Sequence, residues 1–358
     1  MSIPERRFCQ KILFTKCLIF VVFAAAFASA GCNALSPKVV DKKAAVLLSP
    51  VETADKERLL GEINRLAQVK SMRGKVDVKF EDNTFAESGI AEKYKAADGQ
   101  VIVQAPSNIN LKIQLPIVGT DVVQMTSDGN KFRVAVICCV PDEKLKRFVV
   151  GTNYADYTPL QKKAQQEIGN GNAEKRAVNA FASLRPQHFT DALLMRAIET
   201  GENFTYTQSE IYQDEADSGT KSAAGRVIRG YYLLDELKKN GNGFNVSRRF
   251  WFDRVGGIRL ARQQVFSDGG TLVSDITYGA EQKFGETGAL SMPVQVQVTR
   301  PQERYSVKLT YQTPQAVVLG RSYEAPIFQL ENSWGLPELD LDKQLQQVQT
   351  NAQSSLLK

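Results

Sequence analysis

The chain of 358 residues holds one histidine, two tryptophans and five cysteines, and each scarcity closes a class of chemistry. His188 has no carboxylate or nucleophile at an informative spacing. No G-x-S-x-G, H-E-x-x-H, P-loop or Gly-rich dinucleotide turn occurs. His188 therefore reads as a surface residue at a helix start, and these absences argue against ordinary enzymology, although acid pairs leave no motif and a hydrolase stays as a third reading. Cys9, Cys17 and Cys32 lie near the start, and Cys138 and Cys139 are adjacent. No C-x-x-C is present for zinc or redox work, and neighbouring cysteines can form only a vicinal disulfide. On a strand they would point to opposite faces, so both read as small apolar strand residues.

Strong charge of one sign is missing too. The formal net charge is +6, but four Lys/Arg (Arg6, Arg7, Lys11, Lys16) and one acid (Glu5) fall in residues 1–31. Residues 32–358 carry 41 basic and 38 acidic side chains, a net of +3. That balance gives no footprint for nucleic acid. The apolar run Cys17–Phe27 falls short of the roughly 20 residues needed to cross a bilayer. A basic start, a short apolar middle and the small residues Ala28-Ser29-Ala30-Gly31 are the marks of a secretory signal. With Cys32 they resemble the lipobox of bacterial lipoproteins, in which a peptidase cuts before a diacylated cysteine; Ser29 stands where leucine is usual. The resemblance implies a signal peptide over 1–31, lipidation of Cys32 and, with Asn33 rather than Asp next to it, sorting to the outer membrane. Residues 32–48 then form the lipidated cysteine and a flexible tether. If flexible, residues 33–48 would span on the order of 20–25 Å.

What is present is strand after strand. Ser49-Pro50-Val51-Glu52 has the form of a capping box, and Leu59, Leu60, Ile63, Leu66 and Ala67 form one helical stripe after it. Val76, Val78 and Phe80 then alternate with Lys75, Asp77 and Lys79; a second strand, Ile90 to Ala96, is expected to end in a turn at Ala97-Asp98-Gly99. Ile109, Leu111, Ile113 and Leu115 alternate in the same way. Ser127-Asp128-Gly129-Asn130 is a turn, and Phe132, Val134, Val136 and Cys138 alternate after it. Period-two patterning broken by Asp-Gly turns predicts an antiparallel meander. Residues 158–198 interrupt it with a helical insertion that opens on the capping box Thr158-Pro159-Leu160-Gln161. Alternating segments resume at Phe204, with a polar, mobile loop at Asp214–Ala224 and hairpins closed by Gly241-Asn242-Gly243 and Asp268-Gly269-Gly270. The Gln-rich 343–358 segment reads as a frayed, flexible tail.

The expected fold is mainly β with helices: a single open half-barrel of roughly eleven antiparallel strands, residues 49–342, with its concave face covered by helices. A curled sheet covered in this way leaves an apolar cavity. Such a space suits acyl chains, at about 0.8 kcal/mol per buried methylene.

The order of elements resembles the LolA/LolB-like proteins: the periplasmic lipoprotein carrier, its outer-membrane receptor and related lipid-binding or sensor proteins. The segments carrying the resemblance are Tyr94-Lys-Ala-Ala-Asp98-Gly99 with Ala105-Pro106, Val123 to Phe132, Arg248 to Arg254 and Thr299-Arg300-Pro301. The chain is longer than the family's carriers by the helical insertion and the 214–224 loop. The resemblance implies a membrane-anchored, periplasm-facing protein that binds acyl chains of lipids or lipoproteins, takes part in lipoprotein sorting or envelope maintenance, and receives cargo from a periplasmic carrier protein. No cofactor or metal is implied, and no catalytic signature. In the family's receptor an exposed apolar loop delivers cargo; Leu115-Pro116-Ile117-Val118-Gly119 is the candidate, and a buried strand end is its other reading. A sensor or assembly component that holds a protein partner on the same scaffold is the alternative.

Candidate ligand contacts lie on the later strands. Phe244, Val246, Phe250 and Phe252 are placed on one face, Arg249 and Trp251 on the other. The phenylalanine face is expected to line the cavity, together with Ile258, Leu260, Phe266, Leu272 and Ile276; its plainer reading is ordinary core. Arg248 on that face is an odd charge. It either sits at the mouth and binds a headgroup or lipid carbonyl, or pairs with a carboxylate such as Asp275.

Overall fold

The computed structural model describes residues 45–82, 92–93, 97–114, 119–138, 146–167, 187–216, 225–302 and 305–356. The chain divides into two units, Met1–Val46 with Ala216–Val227 and Leu47–Glu215 with Ile228–Lys358. Of the first, only residues 45–46, 216 and 225–227 are described. The candidate site and the core packing belong to the second.

The first run of elements is β1 (Val46–Leu47), α1 (Lys56–Leu66), β2 (Ser71–Asp82), β3 (Glu92–Lys93), β4 (Ala97–Gln104) and β5 (Asn108–Gln114). It continues with β6 (Asp121–Asp128), β7 (Lys131–Val136) and β8 (Arg147–Thr152). Two helices come next, α2 (Thr158–Glu167) and α3 (Gln187–Leu193). The second run is β9 (Phe204–Ala216), β10 (Arg226–Asn240), β11 (Gly243–Asp253), β12 (Arg259–Phe266) and β13 (Leu272–Tyr278). The chain then forms β14 (Glu281–Phe284), β15 (Leu290–Pro293), β16 (Gln295–Arg300) and β17 (Tyr305–Tyr311). Last come β18 (Val318–Leu319), β19 (Glu338–Asp340) and α4 (Leu341–Leu356).

Among the described residues the strands form a 17-stranded sheet, not closed into a barrel, and a separate β14–β15 hairpin. From β10 the antiparallel order runs β11, β12, β13, β16, β17, β2, β4, β5, β6, β7, β8. β19 adds parallel to β8, which makes the sheet mixed rather than wholly antiparallel. The pairing of β17 with β2, from Tyr305↔Asp82 to Tyr311↔Val76, joins the two runs into one surface. The strand number exceeds the expected eleven. Two-residue strands such as β1, β3 and β18 are too short to show a period, and β6, β8 and β19 carry little alternation that sequence patterning detects.

One apolar layer forms where alternation points inward: Val76 and Val78 of β2, Val101 and Val103 of β4, Val134 of β7, Val298 of β16 and Leu309 of β17. Leu59, Ile63 and Leu66 of α1 and Phe189, Ala192 and Leu193 of α3 close over it. The outward residues Ala135 and Phe148 pack instead on Leu330. The chain from Arg321 to Pro337 runs over that second face, with Ser71 Oγ donating to the Arg321 carbonyl at 2.6 Å and Asn110 Nδ2 to the Ile327 carbonyl at 2.6 Å. Both faces of the sheet are therefore covered in part, where a cover on the concave face alone was expected.

Several local expectations change. Asp55, not Ser49, caps α1, accepting from Arg58 N at 2.9 Å. The Ser49–Glu52 stretch instead extends the sheet region: Val51 bridges to Val255, and Glu52 N donates to the Arg254 carbonyl. The tether's last residues are also tied down, Leu48 N donating to the Ile228 carbonyl at 2.9 Å. Ala97-Asp98-Gly99 lies inside β4, paired to Val78, Asp77 and Val76, and is not a turn. Residues 214–216, expected in a mobile loop, complete β9. The 343–358 tail, expected to fray, is α4 up to Leu356: Leu341, Leu345 and Val348 supply an apolar stripe against the core, and Asp342 accepts from the Tyr157 hydroxyl at 2.5 Å and the Thr152 hydroxyl at 2.7 Å. Cys138 lies beyond the end of β7 and is disulfide-bonded, so its reading as a small apolar strand residue is corrected. The turn at Ser127–Asn130 and the two Gly-rich hairpins stand as expected; so does the start of α2 at Thr158.

Candidate functional site

The interior between the sheet and the covering helices α1 and α3 is the place where a ligand-binding site was expected, and β11 supplies its centre. Phe250 and Phe252 are fully buried there, as are Leu260 of β12 and Ile276 of β13. These four meet in the apolar layer. Ile258 packs at its margin, half-buried, and Phe266 and Leu272, opposite one another at the end of their hairpin, are also half-buried. Phe244 and Val246 do not share the face of Phe250. The register runs Glu236↔Arg248 and then Leu237↔Val246, so Ser247 is an extra residue in β11. A bulge of this kind reverses the alternation beyond it. Phe244 is left 48% exposed.

Arg248 is not at a mouth. It is 2% exposed, and its partner is Glu236 rather than Asp275, which pairs with Arg262. Arg248 Nε donates to Glu236 Oε1 at 2.8 Å, and Nη2 to Oε2. Ser247 Oγ and the Tyr206 hydroxyl add donors to the same carboxylate, both at 2.7 Å. Burial pushes the Glu236 carboxyl up, but these donors outweigh it and hold the group below the usual range. The remaining guanidinium protons go to backbone: Nη1 to the Arg196 carbonyl at 3.1 Å and Nη2 to the Ala197 carbonyl at 3.0 Å. The Tyr206 hydroxyl accepts from Glu199 N at 2.8 Å, and Asn64 of α1 accepts from Ile198 N at 3.3 Å. The irregular segment 194–200 after α3 is thus held at its polar backbone by one buried ion-pair cluster.

A second arginine does the same for the segment before α1. Arg254 Nε donates to the Glu52 carbonyl at 2.9 Å, and its guanidinium lies 4.2 Å from the centre of the Tyr232 ring. α1 is also tied at its other end: Arg65 donates to Glu62, Glu281 and the Ser291 carbonyl.

Beneath these covers the hollow lined by described residues is small. A cavity of about 20 Å³ remains, walled by Leu66, Met72, Leu193, Met195, Met292 and Tyr311 among others. That is room for about one water, whereas small-molecule pockets run to roughly 300–1,000 Å³. Burial of apolar surface explains the filling: Leu193, Leu194 and Met195 occupy space that a curled sheet would otherwise leave open. Patterning missed Glu236, Tyr206 and the methionines. An acid on the apolar parity of Tyr232 and Leu234, in the strand next to Arg248, was the signal available.

His188 is half-buried, its Nδ1 3.3 Å from the Tyr305 hydroxyl. No group of three or more potential metal ligands occurs among the described residues, and no helix among them is long and apolar enough to cross a membrane. Cys32, residues 115–118 of the apolar loop, Cys139, the 168–186 part of the insertion and the loop from 217 to 224 lie outside the described residues.

No family model and no curated protein matches the chain. Solved structures do. A LolA superfamily protein from Nitrosomonas europaea matches at 12% identity with a TM-score of 0.39, over 78% of this chain and 99% of that one. A DUF1329 family protein from Desulfovibrio piger matches at 11% identity and a TM-score of 0.38, over 76% and 95%. A protein described as an outer membrane lipoprotein-sorting domain, from Vibrio parahaemolyticus, matches at 11% and 0.35, over 76% and 95%. These are likenesses at low identity; what each side chain does is read from this chain alone.

Proposed function

We propose that this chain is an envelope lipoprotein, anchored through Cys32 at the outer membrane and facing the periplasm, that binds acyl chains of lipids or lipoproteins between its sheet and the α1/α3 cover. The observation that carries the reading is the segment 194–200: an irregular stretch seated on the apolar layer and fastened by backbone bonds to Arg248, Tyr206 and Asn64. In this closed state the cover fills the space that a ligand takes, so binding requires the α3 side to move. Magnitudes permit it. Ten methylenes gain roughly 8 kcal/mol on burial, against about 1.5–3 kcal/mol for each charge-assisted bond from Arg248.

The test is uptake of a fluorescent fatty acid, followed by native mass spectrometry of the protein. One chain per protein is expected; recovery of lipid-free protein alone, with no fluorescence change, rejects the proposal. The filled interior favours a second reading, a non-enzymatic component that holds a protein partner on the same scaffold. Cross-linking in cells separates the two, because a stable stoichiometric partner supports the second.

A further inference from the structure

Tyr311 ends β17 against the cavity wall. Its ring has a fixed seat: Phe284 stands edge-on at 5.1 Å, and Gly74 of β2 leaves it room, since a Cβ there would come within 3.3 Å of Cδ1. The side chain is 3% exposed, and its hydroxyl meets no hydrogen-bond partner among the described residues. A buried hydroxyl without a partner is costly in a folded protein, and an apolar phenylalanine would fill the same seat. Other buried hydroxyls lack partners too, including those of Thr126, Thr190 and Ser274. Tyr311 is the one of this group on the cavity wall. Burial pushes its hydroxyl above the ordinary tyrosine range, so it stays protonated and can donate.

The walls around it can yield. The chain has five methionines, and three of them, Met72, Met195 and Met292, line this one cavity. Methionine is unbranched and polarisable and repacks around irregular shapes more readily than branched side chains. A small cavity with soft walls and a single unspent donor is built for a flexible apolar chain that carries one acceptor oxygen.

We infer that the cavity under Met195 is where the ligand's carbonyl end is held, with the Tyr311 hydroxyl donating to an ester or carboxyl oxygen of an acyl chain. This rests on the proposed acyl binding and adds the ligand's polar group and the residue that selects it. The full-length protein and its Tyr311→Phe variant are titrated with two probes bearing the same fluorophore. One carries a hexadecanoyl ester; the other carries a plain hydrocarbon chain of equal length. The wild type is expected to prefer the ester by about tenfold. Tyr311→Phe is expected to erase that preference.

Preference surviving in the variant, or a wild type that binds both probes equally, overturns the inference while acyl binding stands. Binding of neither probe overturns both. A diazirine-bearing fatty acid cross-linked to the wild type gives an independent reading: label on Met72, Met195 or Met292 supports the site, and label confined to other segments removes it.

Discussion

At the scale of single residues, the Arg248–Glu236 pair organises the interior. Both side chains are almost fully enclosed, so removing one leaves the other charged and buried. Arg248→Ala is expected to cost about 3–5 kcal/mol of stability, measured by urea unfolding, and to free the 194–200 backbone. The pair also sets a pH dependence. The Glu236 carboxyl is held below its usual value, so its contribution is present above the unfolded pKa of about 4.3 and is lost as pH falls through the lower folded value. The stability difference between wild type and Glu236→Gln should therefore shrink from pH 6 toward pH 3; a constant difference contradicts the assignment. The charge at Arg248 was legible as an anomaly in an apolar face, but its partner was not. Counting back from the Gly241-Asn242 turn pairs Glu236 with Ser247, and only the bulge at Ser247 brings Arg248 opposite. A bulge leaves no period to read. The same slip explains why Phe244 and Val246 were placed on the wrong face.

Among the elements, α4 shows how composition can mask a period. Five glutamines among its 16 residues suggest an unstructured tail, yet Leu341, Leu345 and Val348 stand at i, i+4 and i+7, the spacing of an amphipathic helix. Asp342 fastens the helix to β8 and the chain before α2 through Thr152 and Tyr157. Asp342→Ala is expected to release α4 before the sheet unfolds: amide exchange should quicken over Leu341–Leu356 while β8 keeps its protection. Equal protection in the variant would show that apolar packing alone holds the helix. The α1 and α3 covers are less evenly held. α1 buries Leu59 and Ile63 and is fastened at both ends by Arg254 and Arg65. α3 has seven residues, and the chain after it relies on the Arg248 cluster. The two covers thus differ in what must break for each to move, and α3 with its following segment is the side assigned to opening.

For the molecule as a whole, the decisive join is β17 to β2, strands more than half the chain apart in sequence, whose pairing makes one surface from the two runs. Alternation and turn chemistry revealed strands on both sides of that join but could not supply the pairing, because contacts distant in sequence leave no local trace. The interior that results is apolar as expected, and the 194–200 segment and the end of α3 are packed into it. On the proposed acyl binding, protein side chains leave the apolar layer as a hydrocarbon chain enters. Hydrogen–deuterium exchange with and without one equivalent of hexadecanoic acid tests that directly. Faster exchange over residues 187–200 is expected in the bound protein, with α1 unchanged. Fatty acid bound while 187–200 keeps its protection, or no fatty acid bound at all, contradicts it.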